Sequence, residues 1–512
     1  MVIIRYLSTE IRMFAYMKNL PLIASFFGIG LGMIWKNIPP IYRRMFPFVA
    51  FLLFFQIAFA PQLHLTHTPF PSPDNYIWGE NLWEGTASAV KFIAVLFEVS
   101  ILTVLFFVVI GGIVGECLSQ HAPLCGYGTN LIGSLMGIVV FTLLAFLNLP
   151  PSVWMLFGFL LLLPFYYKQK MAIAVFALLV ATTSYWHSPG FWSPYYRIDL
   201  AESPRPAPGA VPSAYELSVN HDYHQRIVDL SPEFFSRFPT AEPNRSALST
   251  YEYPYRLVDN PGEVLIVGAG TGNDVAAALR HGATHVDAVE IDPVILRLGK
   301  LYHPERPYDS TKVTSHIDDA RAFFKKTKNR YDLIVFGYLD AHTLLSSLSS
   351  IRLDNFVYTL ESFREARTLL KEDGTLVLAF AGGKSFVSKR IFDTLESTFG
   401  ISPHVYFTGY DASGAVFVEG GARRKEPLPE FPEKSGELRG MDGDLIATDN
   451  WPFLYLSSRT IPLSNLMVFA LFLSFSLIVA RHTMPARNTM TRLHMHFFLL
   501  GAGFLLLETK GV

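Results

Sequence analysis

The chain has 512 residues, 50% of them hydrophobic and only 17% charged, with a mean hydropathy of +0.29. A soluble globule carries about 25% charged residues, so the chain as a whole does not read as an ordinary cytosolic enzyme. The balance of 42 basic against 43 acidic side chains excludes a basic nucleic-acid binder. Two cysteines, Cys117 and Cys125, are too few for a disulfide scaffold or a zinc site and read as packed, inert thiols.

The missing charge is concentrated. Apolar runs occupy 20–35, 46–60, 92–116, 126–148 and 152–167, with turn signals between them, and 171–187 is a marginal sixth. Five to six transmembrane helices are therefore expected over 1–190, which makes this an integral, multi-pass membrane protein in contact with a lipid bilayer. A cleavable leader is not expected, because no cationic start followed by one apolar run and a small-residue cleavage site is present. Glu98, the sole charge in 92–116, reads either as a buried polar contact or transport residue, or as a helix-end acid. From about residue 190 to 450 charge returns, Gly and Pro punctuate, and short β-branched runs alternate with amphipathic ones; a soluble domain is expected over 191–455. Apolar residues resume at 461–480 and 497–507, so 456–512 is expected to hold C-terminal membrane helices, the last too short to cross. The opening MVIIRYLSTEIR reads like the tail of a helix, and the sequence is taken as an excerpt of a longer protein.

Within the soluble domain, 263–292 reads EVLIVGAGTGNDVAAALRHGATHVDAVEID. The apolar strand VLIV runs into Gly268, Gly270 and Gly272, an alanine-rich helix follows, and a second strand ends in acids. Glycines suit a sharp turn where a ligand approaches bare backbone and helix N-terminal amides. Glu290 stands at the tip of the second strand, where a carboxylate accepts hydrogen bonds from both ribose hydroxyls of a nucleoside. Asp274 is open to two readings, a first-turn acid favoured by the helix dipole or a cofactor contact. A third strand ends at Asp318 and Asp319, a fourth (RYDLIVF) runs toward Asp340, and a fifth (TLVLAF) follows the turn 371–374. In an open α/β sheet ligands sit outside the carboxyl ends of strands, so Glu290, Asp319 and Asp340 are expected to line one crevice.

These residues resemble spermidine synthase, an aminopropyltransferase on the S-adenosylmethionine methyltransferase fold, over about 215–418. Still more similar in texture are bacterial multi-span membrane proteins carrying a spermidine synthase-like domain, which LDAHTLLSSLSSIRLDNFVYTLESF and TDNWPFLYL resemble. The resemblance implies an α/β Rossmann-like domain flanked by multi-span α-helical membrane regions, in the bacterial inner membrane. It implies S-adenosylmethionine or its decarboxylated form as cofactor and an amine such as putrescine as acceptor. Residue by residue, it makes GAGTGND at 268–274 the glycine loop and Glu290 the ribose acid. Asp319, followed by Ala320, becomes the acid that reads the adenine amino group, Tyr223 an amine-site tyrosine, and Asp340 the second aspartate of a DSSDP signature. Two departures stand out. The loop aspartate that pairs with the propylamine nitrogen is Thr271, which removes a repulsion toward the carboxylate of intact S-adenosylmethionine. The proton-accepting first aspartate of DSSDP is Gly337, leaving Asp340 or His342 as the expected substitutes.

Three functions follow from the sequence: aminopropyl transfer from decarboxylated S-adenosylmethionine to a diamine, methyl transfer on the same fold, or a non-catalytic nucleoside or polyamine sensor in a transporter-like membrane protein. Basic residues at Lys36, Arg43, Arg44, Lys168 and Lys170, against an acidic 61–90 loop, put the soluble domain outside if 171–187 spans, and the basic loop Arg481, Arg487, Arg492 agrees. The cytosolic location of S-adenosylmethionine points the other way, and the cytosolic side is preferred. No metal site is expected: His64 and His67 lack further ligands. His494 and His496 read as interface residues, Lys325, Lys326 and Lys328 as a solvated helix end, and Asn244 with Arg245 and Ser246 as a chance glycosylation triplet.

Overall fold

The computed structural model describes residues 1–17, 19–35, 39–68, 85–187, 190–203, 205, 214–239, 251–339, 355–381, 384–408, 414–421, 431, 433–443, 445–461 and scattered positions from 466 to 481. Eight helices come first: α1 Val2–Glu10, α2 Arg12–Tyr16, α3 Asn19–Ile34, α4 Pro40–Ala58, α5 Gly85–Ser119, α6 Pro123–Phe146, α7 Pro151–Tyr166 and α8 Lys170–His187. Three of them, α4, α5 and α6, are long and apolar enough to cross a membrane, while α3 and α7 have 16 residues each. Proline opens α4, α6 and α7, where its missing N–H costs nothing. Glu98 in α5 accepts a hydrogen bond from Gln56 of α4 at 2.6 Å, so it is a polar contact between helices. The two cysteines are exposed in α5 and α6, not packed as the sequence suggested. The segment 497–512 and most of 461–480 lie outside the described residues.

The contact between α3 and α5 is set by small residues. A Cβ built on Gly32 would lie 2.1 Å from the Val108 carbonyl, and one on Gly111 would lie 2.3 Å from that of Ile29. Gly28 and Gly115 are similarly crowded, so the four glycines let two backbones meet directly.

The chain then enters a four-stranded antiparallel sheet in the order β1-β2-β3-β4, from Phe191–Trp192, Arg197–Glu202, Ala214–Val219 and Asp222–Val228. A buried polar cluster fastens this sheet to α1. Fully buried Glu10 accepts two hydrogen bonds from Arg197 Nη1, at 3.1 Å each, and one from His221 Nε2 at 2.8 Å. Arg197 also meets Asp199 at 3.1 Å, and Arg12 meets Asp222 at 3.3 Å. Each buried charge has a partner, which is the condition for tolerating it, and removal of one partner is what costs energy.

The second sheet has seven strands in the order β10-β11-β9-β8-β5-β6-β7: β5 Glu263–Val267, β6 His285–Glu290, β7 Val313–Ile317, β8 Tyr331–Phe336, β9 Leu370–Ala381, β10 His404–Phe407 and β11 Gly414–Gly420. Strands β7, β6, β5, β8 and β9 are parallel, and β11 runs antiparallel between β9 and β10. This is a Rossmann-like, methyltransferase-type α/β sheet. Leu265 and Val267 of β5 join one core and Val264 and Ile266 the other. That is why its sequence is continuously apolar: both faces are covered. The expected turn at 371–374 is absorbed as an irregularity inside β9, where pairing jumps from Tyr331↔Leu370 to Leu333↔Thr375.

Gly111→Leu is expected to destabilise the detergent-solubilised chain by about 1–3 kcal/mol through overpacking. Gly137→Leu, at a position with nothing within 4 Å, serves as the control and should leave the thermal midpoint unchanged.

Candidate functional site

The crevice lies where strand order reverses, between the carboxyl ends of β5 and β8. Past Val267 the backbone enters left-handed conformations at Gly268 (φ +73°), Gly270 (φ +54°) and Gly272 (φ +110°), which glycine adopts without strain. The Gly268 and Ala269 N–H groups both donate to the Val289 carbonyl at 2.9 Å, drawing the loop onto β6. Gly272 then caps the helix Asn273–Arg280.

This folding brings the loop against the tip of β6. Glu290 accepts from the Gly270 N–H at 2.8 Å through Oε2 and from the Asp292 N–H at 2.9 Å through Oε1. Burial pushes its carboxyl up to about 7, and Asp292 adds to the rise; the backbone N–H groups oppose it. Asp292 itself accepts from Val294 and Ile295 N–H groups and caps the next helix.

From the other side, Asn273 ties the small sheet to the loop. Its Nδ2 donates to the Arg226 carbonyl at 2.6 Å and its Oδ1 accepts from the Val228 N–H at 3.2 Å. Strand β4 is thereby held over the crevice, and Gln225 crowds Gly270 so closely that a Cβ there would lie 2.7 Å from Gln225 Oε1. The β3–β4 pairing passes from Leu217↔Gln225 to Ser218↔Tyr223, so His224 is the bulged residue of β4. His224 faces the cavity, and burial pushes its imidazole down to about 4, leaving it neutral at neutral pH.

One cavity gathers Gly268, Gly270, Asp274, Glu290, Asp319 and Ala320. Asp319 also caps the helix Ala320–Lys326, accepting from the Ala322 N–H at 3.0 Å. Burial pushes the Asp274 carboxyl up to about 7. Gly272 and Tyr223 do not line this cavity; Gly272 turns the chain, and Tyr223's neighbours His224 and Gln225 line the wall instead. Thr271 is fully buried and absent from the wall, so its side chain does not set the charge seen by a ligand tail. Asp340 and His342 lie outside the described residues. His224, Gln225 and Asn273 escape sequence reading because a bulge and a loop-to-sheet clamp leave no periodic signal.

Among the described lining residues four are carboxylic acids, Asp274, Glu290, Asp318 and Asp319, and none is lysine or arginine. A site of this composition suits a cationic ligand carrying vicinal hydroxyls for Glu290. No group of three or more His, Cys, Asp or Glu able to hold a metal occurs among the described residues.

The fold defines an α/β domain of the methyltransferase type, with its cavity at the point where strand order reverses. Residues 249–401 match the family model of the spermine/spermidine synthase domain. Polyamine aminopropyltransferase from Korarchaeum cryptofilum is 26% identical over 147 residues, 28% of this chain and 43% of the relative. That from Vibrio vulnificus is 30% identical over 144 residues, 27% of this chain and 42% of the relative. The chain thus spans less than half the length of these two relatives. The solved spermidine synthase of Thermotoga maritima is 18% identical with a TM-score of 0.34, covering 56% of this chain and 87% of that one.

The Glu290 geometry carries a pH dependence. Ribose hydroxyls bound at Glu290 would donate to the ionised carboxylate, and its raised value means the proton is taken up below about 7. Adenosine affinity, measured by calorimetry, is expected to weaken as pH falls from 8 to 6, by up to about tenfold per unit below 7. In Glu290→Gln the change should flatten; an equal slope in both proteins would mean that another group titrates.

Proposed function

We propose that the chain is a membrane-anchored transferase that moves an aminopropyl group from decarboxylated S-adenosylmethionine to a diamine such as putrescine. The observation that carries this reading is the acidic wall. Intact S-adenosylmethionine brings a carboxylate, which would have to be desolvated beside four acids with no lysine or arginine among the described lining residues to receive it. The decarboxylated donor and the diamine bring only cationic tails, which such a wall attracts. The same comparison sets methyl transfer second. In this reading Glu290 holds the ribose, Asp319 and Ala320 face the adenine, and His224 and Gln225 border the amine side.

Membrane anchoring belongs to the same proposal. Its support is the length and composition of α4, α5 and α6, together with the outward apolar face of α6, where Leu124, Leu131, Ile132 and Leu135 are all more than half exposed. The inner membrane of a bacterium, with the soluble domain on the cytosolic side where the donor is made, completes the assignment.

Calorimetry on the full chain in detergent is expected to show decarboxylated S-adenosylmethionine binding at least about tenfold tighter than the intact form, equivalent to about 1.4 kcal/mol. Equal or tighter binding of the intact form would shift the assignment to methyl transfer. A phosphatase reporter fused after Pro204 should be inactive if the domain is cytosolic; an active one places the domain outside.

A further inference from the structure

We propose that Asp274 is the proton acceptor of the transfer reaction, reaching across the crevice into space left free by Gly337. The inference rests on the aminopropyl-transfer reading and names the residue that makes the attacking amine nucleophilic.

Gly337 is the first residue beyond β8. A Cβ built there would stand 3.1 Å from Asp274 Oδ2 and 3.3 Å from the Gly268 carbonyl. The carboxyl of Asp274 therefore occupies the volume that a side chain at 337 would claim. Asp274 sits in the first turn of the helix that follows the glycine loop, so its backbone is fixed by Gly272 and Asn273 while its side chain spans to the next strand end. It lines the same cavity as Glu290, Asp319, His224 and Gln225.

The chemistry needs such a group. Alkylammonium ions have a pKa near about 10, so a diamine enters protonated and has no lone pair to give. Proton transfer from the ammonium to the Asp274 carboxylate leaves a neutral amine and a carboxylic acid. The nitrogen lone pair then forms a bond to the propyl carbon as the carbon–sulfur bond breaks. The bonding pair stays on sulfur, which becomes the neutral thioether of methylthioadenosine. The product nitrogen carries the positive charge that the sulfonium lost, and Asp274 returns its proton to solvent.

Among the groups near this position, Asp274 is the better matched acceptor. A general base works best with a pKa near the working pH, and burial raises Asp274 to about 7, whereas burial lowers His224 to about 4. The ionisable groups that feel Asp274 are Tyr251, Tyr255 and Tyr308 from the surrounding elements, and Glu290 from β6, His224 from β4 and the acids Asp318 and Asp319 share its cavity. The tyrosines stay protonated, and Tyr255 donates to the Asp274 backbone carbonyl at 3.3 Å, fixing the turn without neutralising the carboxyl.

The test measures two quantities on the full chain: methylthioadenosine binding by calorimetry, and its formation from decarboxylated S-adenosylmethionine and putrescine. For Asp274→Asn we expect turnover to fall at least about a hundredfold, with methylthioadenosine affinity within twofold of the parent. The fall in kcat below about pH 7 should be lost from the residual activity. Gly337→Ala, which pushes a methyl group toward Asp274 Oδ2, should lower kcat with the same unchanged affinity. Turnover of Asp274→Asn within a few-fold of the parent, at unchanged affinity, overturns the role of Asp274 and leaves the transferase reading standing. A parent chain that binds the nucleoside and forms no product overturns both.

Discussion

Everything in the crevice depends on one buried carboxylate. Glu290 is held by N–H groups of Gly270 and Asp292, the first from the loop after β5 and the second from its own strand's end. The first of these bonds, with those of Gly268 and Ala269 to the Val289 carbonyl, fixes how closely the glycine loop approaches β6. That spacing in turn sets where the helix Asn273–Arg280 begins and therefore where Asp274 and Asn273 point. A carboxyl in so little water would ordinarily prefer to be neutral, and the rise to about 7 records the cost. Two ribose hydroxyls donating to it would recover part of that cost.

The small antiparallel sheet gives the crevice its other wall. Asn273 clamps β4 to the glycine loop, and the bulge at His224 turns a strand that would otherwise present alternate side chains into one that offers two consecutive residues to the cavity. The same strand begins at Asp222, which meets Arg12 and His67 from the apolar helical region. Glu10 and Arg197 add a second, more deeply buried link between α1 and this sheet. The helices and the site therefore share a structural element: β4 is anchored at one end to the helical region and lines the crevice through His224 and Gln225.

Much of the central sheet was legible in the sequence. VLIV and LIVF are continuous apolar runs because both faces of their strands are covered, and the glycines after VLIV mark a turn that needs left-handed backbone. Of the acids expected at strand ends, Glu290 and Asp319 line the cavity, while Asp340 lies outside the described residues. What escaped was whatever depends on pairing between distant segments: the insertion of β11 between β9 and β10, the register jump inside β9, and the bulge that selects His224 over Tyr223. The Gly337 departure read in sequence as a lost base. In space the same glycine is the vacancy that admits Asp274, a relation invisible in one dimension because the two residues lie on different elements.

Aminopropyl transfer in this crevice is tested most directly by product analysis of the full chain in detergent, incubated with decarboxylated S-adenosylmethionine and putrescine. Methylthioadenosine and spermidine are expected in equal amounts. Release of neither, by protein that binds methylthioadenosine, would contradict it.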